Sequence, residues 1–130
     1  MTLPTFENVP QLSKRALFNS LAILRDLKIK TYYGKPILSA ALEYSYGMAG
    51  SEIRSIISHH RCAGEPIGSS GKGYFYCQRP FELDTTIQHI EGRLHKLSVV
   101  RSGLIKARED LVAAQGDLFA KKTHEKETVE

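Results

Sequence analysis

A chain of 130 residues, 42% hydrophobic and 25% charged, is sized for one small soluble domain with an appended helix. Its net charge of +4 permits a nucleic-acid partner without requiring one. The apolar runs are only a few residues long, which excludes a membrane span, and Met1-Thr2-Leu3-Pro4-Thr5-Phe6-Glu7 has no basic stretch leading into an apolar one, so the expectation is no signal peptide and reduced thiols at Cys62 and Cys77 in a cytoplasm.

Residues 1–11 carry two prolines and few apolar side chains and read as an N-terminal arm. Residues 12–28 read as a helix whose apolar stripe is Leu17, Leu21, Leu24 and Leu27 with Phe18 and Ile23 nearby, and with Lys14, Arg15, Arg25 and Lys28 around it. Thr31-Tyr32-Tyr33 reads as a short edge strand that pairs with a later hairpin. Gly34-Lys35-Pro36 is a turn, with Pro36 near a helix start where its missing N–H costs nothing. Ile37, Leu38, Ala41 and Leu42 are expected to face inward from a short helix stopping near Tyr46-Gly47. Tyr44 and Tyr46, at its end, fit packing or rim positions better than phosphate contacts. Gly47-Met48-Ala49-Gly50 supplies a tight turn between two helices.

The stretch from Ser51 to Pro80 organises the rest. Ser51 is suited to cap a helix with its hydroxyl. Ile53, Ile56, Ile57 and His60 recur at i, i+3, i+4, i+7 and define one buried face. Ser51, Arg54, Ser55, Ser58, His59 and Arg61 lie opposite, all small or hydrogen-bonding. Such a face suits a major groove, where base edges and phosphates need donors at close range; an ordinary solvated amphipathic helix is the competing reading. Gly64 stops the helix and Pro66 prevents its continuation. A first strand is predicted around Ile67–Ser69 and a second at Tyr74-Phe75-Tyr76-Cys77. Gly71-Lys72-Gly73 turns between them and puts a cation at the tip, where Ser70 and Lys72 fit phosphate contacts.

Helix, turn, helix, glycine stop and basic-tipped hairpin, in that order, spell a winged helix-turn-helix. Glu52-Ile53-Arg54, Arg61-Cys62-Ala63-Gly64-Glu65-Pro66-Ile67 and Gly71-Lys72-Gly73-Tyr74 resemble the winged helix of the biotin-operon repressor type, and resemble still more closely the small winged-helix proteins of bacteriophages and prophages. The resemblance covers about residues 15–95. It departs at His60, where the family usually has Leu, and near Gly50, where a basic residue is common. It implies a DNA-binding protein acting in transcription control or phage DNA replication inside a bacterial host.

After Pro80 the period changes. Leu83, Ile90, Leu97, Leu104, Leu111 and Leu118 fall seven residues apart, and Ile87 and Leu94 fill the alternating positions, which is a coiled-coil seam with the first set at d and the second at a. Arg101, Arg108 and Gln115 occupy the remaining a positions. Ile105, Val112 and Phe119 at e widen the apolar face, so a helical hairpin or a four-helix arrangement competes with a two-stranded coil. Residues 121–130 are charged, without period, and read as a disordered tail.

The expected architecture is therefore mainly α with a small β-hairpin wing: an arm (1–11), a winged helix-turn-helix (12–80), a helical oligomerisation segment (81–120) and the tail (121–130). No cofactor or metal is expected, because the neighbouring His59 and His60 point about 100° apart on a helix and cannot easily share an ion, and no Cys-x-x-Cys pair exists. No serine is singled out as a nucleophile. Gly-Ser-Ser-Gly-Lys-Gly lacks the phosphate-loop spacing, so no enzyme activity is expected. Double-stranded DNA read by a homodimer or higher homo-oligomer is the leading expectation. A protein-interaction module, such as an adaptor or inhibitor of a host complex, is the alternative, and a coiled-coil assembly protein is the third.

Overall fold

The computed structural model describes residues 11–128; all but the last residue of the expected N-terminal arm lie outside the described residues. The chain is mainly helical, with one two-stranded antiparallel hairpin. Its order is α1 (Lys14–Lys30), α2 (Ser39–Tyr46), α3 (Gly50–Cys62), β1 (Ile67–Ser70), β2 (Gly73–Tyr76), a 3-10 turn (Pro80–Leu83) and α4 (Asp84–Thr128).

Helix α1 begins where the Ser13 hydroxyl accepts the Ala16 N–H at 3.1 Å. It ends with Lys28 and Lys30 in the last turn, cations at the negative end of the helix dipole. The buried Thr31 closes it: its hydroxyl donates to the Leu27 carbonyl at 2.6 Å and accepts the Tyr76 N–H at 2.9 Å. Thr31 thus joins the hairpin through its side chain, not as a strand. Tyr32 folds back onto Lys35, and the residue that bridges to β2 is Ile37, through two 2.8 Å backbone bonds with Tyr74. Held extended by that bridge, the chain starts α2 only at Ser39. Ile37 therefore precedes the helix, and Leu38 is exposed. Gly73 permits the bridge, since a Cβ there would stand 2.0 Å from the Ile37 carbonyl oxygen and its φ is +123°.

The core joins α1, α2, α3 and β1: Ile23, Leu27, Leu42, Ile53, Ile56, Ile57 and Ile67 are essentially sealed from solvent, and Ala16, Leu24 and Met48 complete the cluster. This corrects the stripe expected for α1. Its buried face is Ala16, Ser20, Ile23, Leu24 and Leu27, whereas Leu17, Phe18 and Leu21 are 60%, 87% and 75% exposed. The small Ala16 and Ser20 occupy the buried face, and the buried His60 ring places Nε2 2.8 Å from the Ser20 carbonyl. With a carbonyl as partner, Nε2 must carry a proton. His60 is a core histidine whose partner lies forty residues away in sequence.

Two tyrosines fasten the elements. The half-buried Tyr46 donates its hydroxyl to Asp26, joining α2 to α1, and Tyr76 donates to Glu65 at 2.7 Å. Burial first, then the Asp26 carboxylate, push the Tyr46 phenol up to about 12; the Glu65 bond first, then burial, do the same for Tyr76. Folded-state values above the unfolded value mean a contribution fully present below about pH 10 and lost as pH rises toward 12. Urea midpoints measured from pH 9 to 12 should therefore fall, and the fall should be shallower in a Tyr46→Phe/Tyr76→Phe variant.

The chain divides into two compact units, the first running to Gln88 and the second starting at His89. The first unit extends beyond the boundary expected at 80 because its last segment is bonded to the hairpin and its flank. Buried Glu82 accepts the Gln78 N–H at 3.1 Å and Arg79 Nε at 3.2 Å, and Thr86 accepts the Ser69 N–H at 3.0 Å. The Gln78 bond holds the Glu82 carboxyl below its ordinary range against the opposing effect of burial. Helix α4 is continuous through Gly92, Gly103 and Gly116, so the helical hairpin does not form within the described chain. It also continues to Thr128 where a tail without structure was expected; alanine, lysine and glutamate are good helix formers, and the absence of an apolar period does not stop them. No helix among the described residues is long and apolar enough to cross a membrane.

Candidate nucleic-acid interface

The turn between α2 and α3 is set by backbone chemistry. Gly47 adopts φ +59°, the left-handed conformation that ends α2, and its carbonyl accepts the Arg15 guanidinium from α1. Met48 is buried and donates its N–H to the Glu43 carbonyl at 2.9 Å. Ala49 is extended and precedes α3 as its N-cap residue. Ser51 therefore lies inside the first turn and does not cap it. The cap interaction comes from Glu52, whose carboxylate accepts the Ala49 N–H at 3.2 Å, half of a capping box, since alanine has no acceptor to return.

Helix α3 buries Ile53, Ile56, Ile57 and His60, the four positions expected. Ser51, Arg54, Ser55 and Ser58 are exposed on the opposite face. The Ser55 hydroxyl donates to the Ser51 carbonyl at 3.0 Å, which uses its hydrogen and leaves it able to accept. Arg54 runs back along the helix start: its guanidinium and the Glu43 carboxylate both come within 3.5 Å of where a Cβ on Gly50 would stand. A glycine at 50 thus leaves space for both, and Glu43 moderates the positive potential there.

Two of the named residues are turned elsewhere. His59 is half-buried, its ring stacked edge-on against His60 at 5.7 Å. Arg61 donates Nε to the Ile67 carbonyl at 2.8 Å and lies 5.9 Å from the Tyr74 ring, so it stitches α3 to the hairpin. Helix α3 ends in a paired motif: Glu65 N–H to the His60 carbonyl at 2.9 Å, Gly64 N–H to the Arg61 carbonyl at 3.0 Å, with Gly64 at φ +93°.

The hairpin pairs Ile67 with Tyr76 through Ser70 with Gly73, leaving Gly71 and Lys72 as the two-residue tip. Lys72 is exposed, while the Ser70 hydroxyl accepts the Lys72 N–H at 3.2 Å and so holds the tip together. The interface residues of the sequence reading divide accordingly. Ser51, Arg54, Ser55, Ser58 and Lys72 are outward; His59, Arg61 and Ser70 carry structural contacts.

The sequence reading missed a second group beside the hairpin. Tyr33 meets Phe75 edge-on at 5.5 Å and Phe81 at 6.0 Å, and Arg79 lies 5.0 Å over the Phe81 ring. Tyr33 and Phe81 remain about half exposed. The available signal was the aromatic spacing Tyr32-Tyr33, Phe75, Phe81 around a single arginine. Among the described residues no three His, Cys, Asp or Glu side chains converge as a metal ion would need. Comparison with family models, with curated proteins and with solved structures finds no match for the chain.

Proposed function

We propose that the chain is a winged helix-turn-helix protein that binds duplex DNA as a homodimer, with α3 in the major groove and the Lys72 hairpin on the flanking backbone. The observation that carries this reading is the outward row Ser51, Arg54, Ser55 and Ser58 on a helix that follows a three-residue turn, uncovered by the other elements of the first unit. Short hydroxyls and one guanidinium can reach base edges only from a face of this kind. The second support is the order of elements, with Ile37 bridging the hairpin as a first wing strand would. The third is the exposed seam of α4, which gives two copies a surface to share. The resemblance to phage winged-helix proteins extends the reading to transcription control or DNA replication.

The roles of the two cations separate in one experiment on duplexes selected from a random library. Arg54→Ala should flatten sequence preference, at a cost of about 1–3 kcal/mol on the preferred site, because it removes a base contact. Lys72→Ala should weaken all duplexes alike and reduce the salt slope by about 1. Equal, undetectable affinity of the wild-type chain for selected and random duplex at low salt would reject DNA as the partner.

A protein-interaction module is the second reading. The exposed Leu17, Phe18 and Leu21 on α1 favour it, since they form an apolar group facing away from the core. Pull-down with a Phe18→Asp control would distinguish it from DNA binding, which that change should leave intact.

A further inference from the structure

The proposed homodimer leaves the direction of its helices open, and the charges along α4 decide it. We propose that two copies of α4 pair antiparallel, with Glu91 of each copy set against Arg101 of the other; this rests on the self-association reading above.

Most of the apolar face of α4 is exposed: Leu94, Leu97 and Leu104 are 61%, 66% and 66% accessible, while Ile90 and Ile105 are half-buried. Arg101 and Arg108 lie in the middle of that face, at a positions, and both are exposed. In a parallel, in-register pair each a residue meets its own copy. Arg101 would then face Arg101 and, one heptad on, Arg108 would face Arg108. No carboxylate is at hand to neutralise either layer. The flanking e and g positions around them are Ser98, Val100, Ile105, Ala107, Val112 and Ala114, all uncharged.

Antiparallel pairing changes the neighbours. Each a residue then packs against a d residue, and the e positions of the two copies share one side of the seam with a. This chain carries acids at e in the first heptads, Asp84 and Glu91, seven residues apart. The arginines at a are also seven residues apart. One offset satisfies both spacings: Arg101 opposite Ile90 with Glu91 beside it, and Arg108 beside Asp84, the first residue of α4. The same offset matches apolar residues elsewhere, Leu94 with Leu97 and Ile87 with Leu104. By symmetry every pair occurs twice, so four arginines meet four carboxylates.

Cysteine cross-linking in the full chain tests the direction, in a Cys62→Ser background because Cys62 is exposed while Cys77 is buried. Ile87→Cys and Leu104→Cys are oxidised separately and mixed. The antiparallel offset predicts covalent dimers in the mixture only, because two copies of residue 104 would lie about 25 Å apart along the seam at 1.5 Å per residue. Self-linking of Leu104→Cys alone would overturn the proposal in favour of parallel pairing, and so would a dimer that gives no link in the mixture. Charge reversal gives an independent reading: Glu91→Arg and Arg101→Glu should each weaken association about tenfold, and the double variant should recover it. Failure to recover contradicts the pairing. A wild-type chain that sediments as a monomer would instead reject the self-association reading itself.

Discussion

Gly73→Ala should destabilise the folded unit by more than about 2 kcal/mol, lowering Tm by roughly 10 °C or more for a domain of this size. The new Cβ would stand 2.0 Å from the Ile37 carbonyl oxygen and 2.8 Å from the Leu38 nitrogen, both backbone atoms that no side-chain rotation can move away. It would also force alanine into φ +123°, a region that L residues rarely enter. The only relief is to separate Ile37 from Tyr74, which removes two 2.8 Å backbone hydrogen bonds and loosens the edge of β2. Gly71→Ala, whose Cβ would meet nothing within 4 Å, is the control and should change Tm little. Thermal unfolding followed by circular dichroism reads both. If Gly73→Ala and Gly71→Ala melt alike, the Ile37 bridge does not hold the hairpin.

The second large effect is on assembly. Leu97→Asp combined with Leu104→Asp should abolish dimerisation while leaving the melting of the first unit within about 0.5 kcal/mol of wild type, as expected for exposed positions. Four leucines per dimer, at about 1.5 kcal/mol or more each, amount to some four orders of magnitude in Kd. Helical signal from α4 should fall as well. A long helix containing Gly92, Gly103 and Gly116, with its apolar face in water, gains little from propensity alone and depends on packing. Sedimentation equilibrium with far-UV circular dichroism measures both. An unchanged mass for the variant would mean that the seam is not what joins the copies.

Legibility in the sequence followed the type of force involved. Helix α3 was readable because its isoleucines at 53, 56 and 57 keep a helical period up to the glycine stop at 64, so period and boundary agree. The hairpin was readable from glycines whose conformations it requires. The buried face of α1 was not, because Leu17, Phe18 and Leu21 are more apolar than Ala16 and Ser20, yet the small pair is the one buried, with His60 reaching the Ser20 carbonyl. Side-chain size, not hydropathy, selected that face. Thr31 read as a strand residue because β-branching favours strands, whereas its hydroxyl bonds both α1 and β2. The cap of α3 was assigned to Ser51 although Glu52 supplies it, since either residue fits a helix start and only the backbone of Ala49 decides between them. Within the candidate interface, residue type alone could not separate Arg54, which stays exposed, from Arg61, whose Nε is held by the Ile67 carbonyl.

Fluorescence anisotropy of the 130-residue chain with a labelled duplex, titrated between 50 and 200 mM salt, decides whether duplex DNA is the partner. The Lys72 contact to phosphate in each copy predicts that log K falls linearly with log salt, with a slope near −0.9 per phosphate neutralised. A preferred duplex should compete better than a random one at every salt concentration. Binding that is absent at 50 mM, or that does not change with salt, would contradict it.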